Sequence, residues 1–251
     1  MKSIFDVKYG VESSQVLDIY IPDKNKYPVF VYFHGGGLER GDKKQNFISD
    51  LVAKGVAVVS ANYRMYPNAV YPEYIEDAAS VVTWVKENIG KYGEINGLFV
   101  GGSSAGGYLS QMLCFDKKYL GKHQIDVLDI DGFYHDAGQP TTHFNILRER
   151  GLDTRRVIVD DAAPLFHIDD SCVYPPMEIV VSDDDMENRY EQTMLLVSTL
   201  THFGHDMNKI YLNVRENSRH CEYVNKTNEN SDYIFSDMVY QFISKVVEMK
   251  K

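Results

Sequence analysis

The sequence predicts an α/β fold built on a mostly parallel, doubly wound sheet with helices on both faces. Short runs of β-branched and aromatic residues alternate along the chain with longer segments of helical periodicity. The runs are apolar at successive positions, which is typical of strands buried on both faces. Because strand alternates with helix and no repeat or linker interrupts the order, we expect a single domain over residues 1–251.

Five apolar runs predict the strands, and two amphipathic segments predict the longest helices. The strands are expected at residues 28–33, 56–61, 98–100, 178–181 and 210–212. Apolar residues spaced three and four apart between Ile75 and Ile89 indicate one helix, and a terminal helix is expected from about Asp232.

Residues 133–164 break this alternation, with weak periodicity, glycine, proline and a cluster of arginines. Long connections in compact domains are often lids or binding loops. We interpret the stretch as a cap insertion over the site, with an inert surface loop as the alternative. Tyr134, His135 and Phe144 are its candidates for contact with substrate. Its arginines are candidates for holding a substrate carboxylate, although solvated arginines are as common: Arg148, Arg150, Arg155 and Arg156.

The composition indicates a globular, acidic protein. Hydrophobic residues make up 44% of the 251 residues and charged residues 25%, an ordinary mixture for a chain with a large core. The formal net charge is -10, from 26 basic and 36 acidic residues. Such a surface repels phosphate backbones and anionic lipids, so neither nucleic acid nor a membrane is expected as a partner. The composition does not distinguish a monomer from a homodimer.

The sequence contains no clear targeting or metal-binding signal. Its longest apolar runs, such as residues 29–33, are too short to cross a bilayer, and no apolar core follows Lys2 as in a signal peptide. Three scattered cysteines favour neither a disulfide framework nor a cysteine-rich metal site. We therefore expect a cytoplasmic location and neither a metal nor an organic cofactor.

A serine on a tight turn is the first candidate for chemistry. Gly102-Ser103-Ser104-Ala105-Gly106 matches G-x-S-x-G, after an apolar run and before a plausible helix. Glycines let a strand turn sharply into a helix, which exposes the serine side chain near the free N–H groups of the helix N-terminus. The alternative is an idle serine in a glycine-rich turn, but the strand–turn–helix context favours Ser104 as a nucleophile.

A run of three glycines is the second candidate. His34-Gly35-Gly36-Gly37 directly follows the first of the five predicted strands. Consecutive glycines are costly in backbone entropy, so a structural need is indicated. Their N–H groups are free to converge on the negative oxygen of a tetrahedral intermediate, as acyl transfer requires. The alternative, a flexible loop, is disfavoured by the serine turn on a second strand.

A serine hydroxyl needs a neighbouring base to become a nucleophile. Among the eight histidines, His220 follows the last predicted strand in a polar loop, where it can reach the serine. His202 and His205 lie near the end of a predicted helix and are interpreted as capping or solvated residues. The other histidines considered precede the strand that should supply the acid: His123, His135, His143 and His167.

The acid that orients this histidine is expected after the strand at residues 178–181. Three consecutive carboxylates follow there, Asp183, Asp184 and Asp185, and their types alone do not separate them. The acid must accept the second ring N–H of the histidine, which fixes the tautomer and stabilises the imidazolium.

With these motifs, the chain resembles the α/β-hydrolase fold and, within it, the hormone-sensitive-lipase-like and related acetyl-esterase and carboxylesterase group. The resemblance extends from residue 17 to the terminal helix. Its most specific parts are His34-Gly35-Gly36-Gly37, Asn62-Tyr63-Arg64, Glu76-Asp77-Ala78 and the serine turn.

The resemblance implies a triad of Ser104, Asp185 and His220. It also implies an oxyanion hole made by backbone N–H groups, those of Gly36, Gly37 and Ala105. Relatives usually have Gly-x-x-Asp at the acid, and here Ser182 replaces the glycine. The residues after the base, Cys221-Glu222-Tyr223, also depart from the pattern, which puts the lining beside the base in question.

The resulting hypothesis is a serine esterase for short acyl or aromatic carboxylic esters, including esters on carbohydrates. Its partner is then a small-molecule ester. One alternative is an amidase, aryl formamidase or peptidase on the same framework, and another is a non-catalytic binding protein of this fold. A metal hydrolase using the three aspartates with His202 and His205 is disfavoured, because helix-borne zinc ligands are more often four residues apart.

Overall fold

In the computed structural model, which describes residues 1–250, a single eight-stranded sheet runs through the molecule. The strands follow in the order β1-β2-β4-β3-β5-β6-β7-β8. The β1–β2 and β2–β4 pairs are antiparallel, and every other neighbouring pair is parallel. The bounds are β1 Lys2–Lys8, β2 Val16–Ile21, β3 Lys26–Phe33, β4 Ala57–Ala61, β5 Glu94–Ser103, β6 Gly132–Asp136, β7 Met177–Asp184 and β8 Ile210–Arg219.

Helices cover both faces of this sheet. Along β3 the buried side chains alternate: Val29 and Val31 belong to one apolar core, and Phe30 and Tyr32 to the other. The first core includes residues of α2, α3, α4 and α6, and the second includes residues of α1 and α7. The helices are α1 Ile48–Ala53, α2 Glu73–Asn88, α3 Ala105–Phe115, α4 Lys117–Gly121, α5 Phe144–Glu149, α6 Arg189–His202 and α7 Ile234–Glu248. The predicted fold class, mostly parallel and doubly wound, is confirmed.

All five predicted strands are present, and each has its expected place in the parallel part of the sheet. Three strands, β1, β2 and β6, were not among these five. β2 has a buried charged residue, Asp18, within its short apolar run. β1 is an edge strand with mixed exposure, so it lacks a continuous apolar run. β6 ends in His135 and Asp136, which are polar yet fully buried, and this hid it from a search for apolar residues.

The predicted insertion at residues 133–164 therefore began too early, because its first four residues belong to β6. The remaining residues connect β6 to β7. Both ends of the predicted segment are buried rather than projecting: the Thr141 hydroxyl donates to the Gln192 side chain (2.9 Å), and the Ala162 carbonyl accepts from the Tyr108 hydroxyl (2.8 Å). Phe144 at the start of α5 and residues of the exposed stretch 150–157 line pockets at the carboxyl edge of the sheet.

Among residues 1–250, no helix combines the length and the apolar character needed to cross a membrane.

Candidate active site

Ser104 lies at the junction of β5 and α3, at the carboxyl edge of the sheet. Its backbone has φ 56° and ψ −112°, a conformation that non-glycine residues rarely adopt. The turn lies so close to β3 that a Cβ atom at either Gly102 or Gly106 would overlap the Phe33 carbonyl oxygen. Both positions therefore require glycine. The Ser104 N–H donates to the Asp136 carbonyl at the end of β6 (2.8 Å). Packing against two neighbouring strands thus maintains the strained turn that presents the hydroxyl.

His220 follows β8 and reaches this hydroxyl. The distance from its Nε2 to Ser104 Oγ is 2.8 Å, and its Nδ1 lies 2.5 Å from Asp185 Oδ1. A carboxylate only accepts hydrogen bonds, so the proton of the neutral ring belongs on Nδ1 and the lone pair on Nε2 faces the serine. The structure therefore places a base within hydrogen-bond distance of the serine proton.

The three consecutive aspartates have different surroundings. The Asp185 side chain is completely buried and is the carboxylate that contacts His220. Asp183 instead accepts the backbone N–H groups of Asn217 (2.9 Å) and Ser218 (3.2 Å). The Asp184 side chain is 76% exposed and has only a distant ion pair with an arginine. Of the three, only Asp185 is brought into the site.

The electrostatics keep Asp185 ionised. Burial acts to raise its pKa, but the hydrogen bond from His220 and the Met186 N–H (2.7 Å) outweigh burial and hold the pKa below its ordinary value. An ionised carboxylate against Nδ1 stabilises the imidazolium that forms when Nε2 takes a proton.

The glycine run forms one wall of the site. Gly36 and Gly37 have positive φ angles of 118° and 68°, and a Cβ atom at Gly36 would overlap the Arg40 carbonyl group. Their N–H groups, and that of Ala105 at the start of α3, donate no hydrogen bond to any atom of residues 1–250. These free donors flank Ser104 at the ends of β3 and β5.

The motif residues behind this wall hold it in place. The Tyr63 hydroxyl donates to the His34 carbonyl (2.8 Å), and the two rings stack at 4.6 Å. Arg64 binds Asp77 through both its Nε and Nη2 atoms, the latter at 2.7 Å. Asn62-Tyr63-Arg64 and the start of α2 therefore act as structural supports for the glycine run.

A cavity of about 550 Å³ opens over the serine. The glycine run lines one side, and the other walls come from separate segments of the chain: Phe144, Met186, Cys221 and Val224. The cavity is large enough for a small organic substrate. Of the three predicted substrate contacts, Phe144 lines it.

Part of the chain is similar in sequence to known esterases and to a formamidase. The family model described as BD-FAE matches residues 17–126. Esterase LipC of Mycobacterium tuberculosis is 33% identical over 114 residues, which cover 42% of this chain and 28% of that esterase. The kynurenine formamidase of Danio rerio is 32% identical over 116 residues, which cover 45% of this chain and 39% of that protein. The chain thus matches well under half the length of these curated relatives.

Solved structures match over almost the whole chain. A truncated carbohydrate esterase from gut microbiota has a TM-score of 0.79 at 19% identity, covering 99% of this chain and 97% of that one. Brefeldin A esterase, a bacterial homologue of human hormone-sensitive lipase, has a TM-score of 0.75 at 19% identity, covering 99% and 78%. The chain has the α/β-hydrolase fold. The resemblance to this fold that the motifs indicated is therefore confirmed.

Two predicted substrate contacts were wrong. Tyr134 and His135 are fully buried in β6, on opposite faces of the sheet. Tyr134 packs edge-on against Phe30 in one core, and the His135 ring stacks on Phe133 in the other. Burial lowers the pKa of His135 to about 3, so it is neutral. The error follows from the missed strand, because the two residues were assigned to a loop.

A buried carboxyl group lies beneath the triad and was not predicted. Asp136 is fully buried at the end of β6, and its side chain accepts a hydrogen bond from the Tyr223 hydroxyl, close to the His220 loop. Burial raises the pKa of Asp136 to about 6, although the Tyr223 hydrogen bond and the neighbouring His220 oppose the increase. The sequence offered one signal for Asp136, its position as a carboxylate at the end of a strand on the catalytic edge. That signal could be used only if β6 had been recognised as a strand.

We expect Asp136→Asn to change how stability depends on pH. Between pH 4 and 6 folded Asp136 keeps its proton while the unfolded residue, with an ordinary value of 3.8, loses it. The free energy of unfolding of the wild type therefore falls with rising pH, by about 3 kcal/mol once pH exceeds the folded value. The Asp136→Asn variant does not lose this free energy of unfolding, because asparagine does not ionise. Urea unfolding should show that the free energy of unfolding of the variant, relative to that of the wild type, is higher at about pH 8 than at about pH 4.

The matched control is Asp184→Asn, which neutralises an exposed carboxylate at the same edge of the sheet. Its stability difference from the wild type should not vary with pH in this way. A stability difference for Asp136→Asn that stays constant over the same pH range contradicts the prediction.

Proposed function

We propose that this chain is a serine esterase that hydrolyses small carboxylic esters. One observation carries the proposal: the continuous hydrogen-bonded series Asp185–His220–Ser104, which ends in a cavity lined by free backbone N–H donors. The similarity to curated esterases supports the same class of reaction. Nucleophile, base, orienting acid and oxyanion donors are the groups that acyl transfer needs.

In the first step, Ser104 Oγ attacks the ester carbonyl carbon while His220 Nε2 takes its proton. The carbonyl oxygen becomes an oxyanion, which the N–H groups of Gly36, Gly37 and Ala105 stabilise. His220 then gives the proton to the leaving alkoxide, and the C–O bond of the ester breaks. An acyl group remains on Ser104 and the alcohol departs.

In the second step, a water molecule attacks the acyl carbon and His220 Nε2 accepts its proton. The oxyanion forms again in the same place, and its collapse expels Ser104 Oγ, which recovers the proton from His220. The products are a carboxylic acid and the free enzyme. Throughout, Asp185 stays ionised and holds the ring in the orientation that both proton transfers require.

For the substrate, we propose a short acyl or aromatic ester, including an ester carried on a carbohydrate. Phe144 narrows the cavity from the β6–β7 connection, while Val224 and Cys221 supply apolar surface near the base. These groups suit a compact acyl or aryl group better than a long alkyl chain. Similarity to a carbohydrate esterase over the whole fold supports the sugar ester.

Active-site labelling is the most direct test of this function. A fluorophosphonate probe should phosphonylate Ser104 Oγ with release of fluoride, and peptide mapping should place the label on Ser104. A panel of acetyl, butyryl, octanoyl and feruloyl esters should be hydrolysed with octanoyl slowest, and N-formyl substrates should react more slowly than the acetyl ester. Absence of labelling in folded protein refutes the proposal, and faster N-formyl cleavage favours an amidase.

A further inference from the structure

A second pocket, of about 290 Å³, adjoins the catalytic cavity. Phe144 and Met186 line both, so the two spaces share a wall beside the triad acid. The charged residues that line the second pocket are Arg155, Arg156, Arg189 and Glu187. Three arginines against one glutamate contrast with a chain whose formal net charge is -10.

The four arginines that the sequence singled out divide by their partners. Arg148 pairs with Glu39 (2.5 Å) and Arg150 with Asp160 (2.6 Å), so both are already neutralised. Arg155, with a largely exposed side chain, pairs with Asp153 (2.7 Å). Arg156 has no carboxylate partner among residues 1–250. Only Arg156 of the four presents an uncompensated charge to the second pocket.

Arg189 is the unusual member of the group. It is only 4% exposed, and no carboxylate of residues 1–250 lies within 4 Å of its guanidinium, although the charge of the Asp185 carboxylate acts on it from further away. Its donors bind neutral acceptors instead, the Ala137 carbonyl and the Gln139 side chain (3.3 Å). A buried cation normally requires an anionic partner, since burial without one is costly.

Hydrogen bonds around Gln139 hold the Arg189 side chain in its orientation. Gln139 Oε1, which accepts from Arg189, also accepts the N–H of Phe144 (3.3 Å). The amide group of Gln139 donates to the Thr142 carbonyl (3.0 Å). The guanidinium and the shared wall at Phe144 are thus connected through one fixed side chain.

We propose that the second pocket binds a carboxylate carried by the substrate, held by Arg189 and Arg156. This inference rests on the proposed esterase function and narrows its substrate class to esters that bear a free carboxylate. An arginine presents planar, paired donors that match the two oxygens of a carboxylate. The reaction at the ester bond is unchanged, and the second pocket only binds and orients the anionic end.

A matched pair of substrates tests the pocket. The mono-4-nitrophenyl ester of adipic acid and 4-nitrophenyl hexanoate have the same chain length and differ in a terminal carboxylate. The measured quantity is the ratio of their kcat/KM values, charged over neutral. A charge-assisted hydrogen bond commonly contributes about tenfold or more, so wild type should favour the adipate ester by about tenfold. The suberate and octanoate pair extends the comparison to a longer spacer.

Arg156→Gln and Arg189→Gln should each lower this ratio toward unity, and added salt should lower it in the wild type. Arg189→Lys is the second variant if Arg189→Gln fails to fold, since it retains the charge without the paired donors and should give an intermediate ratio. Lys91→Gln removes the same charge before β5, at the opposite edge of the sheet, and should leave the ratio unchanged.

The outcomes separate three explanations. If the charge of Arg189 only helps to keep Asp185 ionised, its variants lower both rates equally and the ratio stays constant, which overturns the proposal. A wild-type ratio near unity with both spacers also overturns it, while hydrolysis of the hexanoate leaves the esterase function standing. If folded protein hydrolyses neither ester, the proposed function fails and the carboxylate pocket fails with it.

Discussion

Replacing Ser104 with alanine is expected to lower kcat for 4-nitrophenyl acetate by about a millionfold. The hydroxyl that His220 contacts at 2.8 Å is the only nucleophile that the triad presents, so its loss removes the acyl-enzyme route entirely. The rate that remains stays about a thousandfold or more above the uncatalysed rate, because the oxyanion donors and the cavity are unchanged. Stability should be nearly unchanged, because alanine retains the Cβ atom and the backbone N–H that bonds to Asp136.

The measurement is the steady-state hydrolysis rate, with circular dichroism and thermal unfolding to verify the fold. Ser49→Ala, an exposed serine on α1, is the matched control and should retain the full rate. A folded Ser104→Ala variant with near-native turnover would show that another group performs the attack.

The second large effect is expected at the acid. Asp185→Asn should lower kcat by about ten-thousandfold. An asparagine amide in this position either donates to Nδ1 or accepts more weakly from it, so it no longer enforces the tautomer that faces Nε2 toward Ser104. It also removes the negative charge that stabilises the imidazolium, and both losses act in the transition state.

The neighbouring aspartates provide controls within the same turn. Asp184→Asn changes an exposed carboxylate and should leave kcat within a few-fold of wild type. Asp183→Asn weakens the hydrogen bonds that Asp183 accepts from the Asn217 and Ser218 N–H groups, so it should lower stability rather than remove activity. Equal loss of kcat in the Asp184 and Asp185 variants would contradict the assignment of the acid.

The sequence-based predictions were most accurate where local chemistry dictates structure. The apolar runs at β3, β4, β5 and β7 predicted buried strands because each side of a covered sheet excludes water. The run at β8 also predicted a strand, but β8 is at the edge of the sheet and only Ile210 in it is buried. The predictions failed at β6, where His135 and Asp136 are buried polar groups. His135 Nδ1 bonds to the Ser110 hydroxyl (2.9 Å) and the Asp136 carboxyl accepts from the Tyr223 hydroxyl, and nothing local in the sequence reports such distant partners.

The choice among the three aspartates shows the same limit. Asp183, Asp184 and Asp185 are identical residues in sequence, and only the motif spacing favoured one of them. In the structure the end of β7 turns each carboxylate toward a different neighbour. Arg189 was missed altogether, since no local pattern marks a helix-borne arginine as buried.

By itself, the sequence determined the doubly wound α/β architecture and the two glycine-rich turns, because backbone freedom and apolar periodicity are local properties. It also placed Ser104 and His220 after strands whose carboxyl ends share one edge of the sheet. Only the tertiary structure decided which carboxylate meets His220, which aromatic residue lines the cavity and which arginine is buried beside it. Those outcomes depend on contacts between residues that are far apart along the chain, where strand order and side-chain packing set the distances.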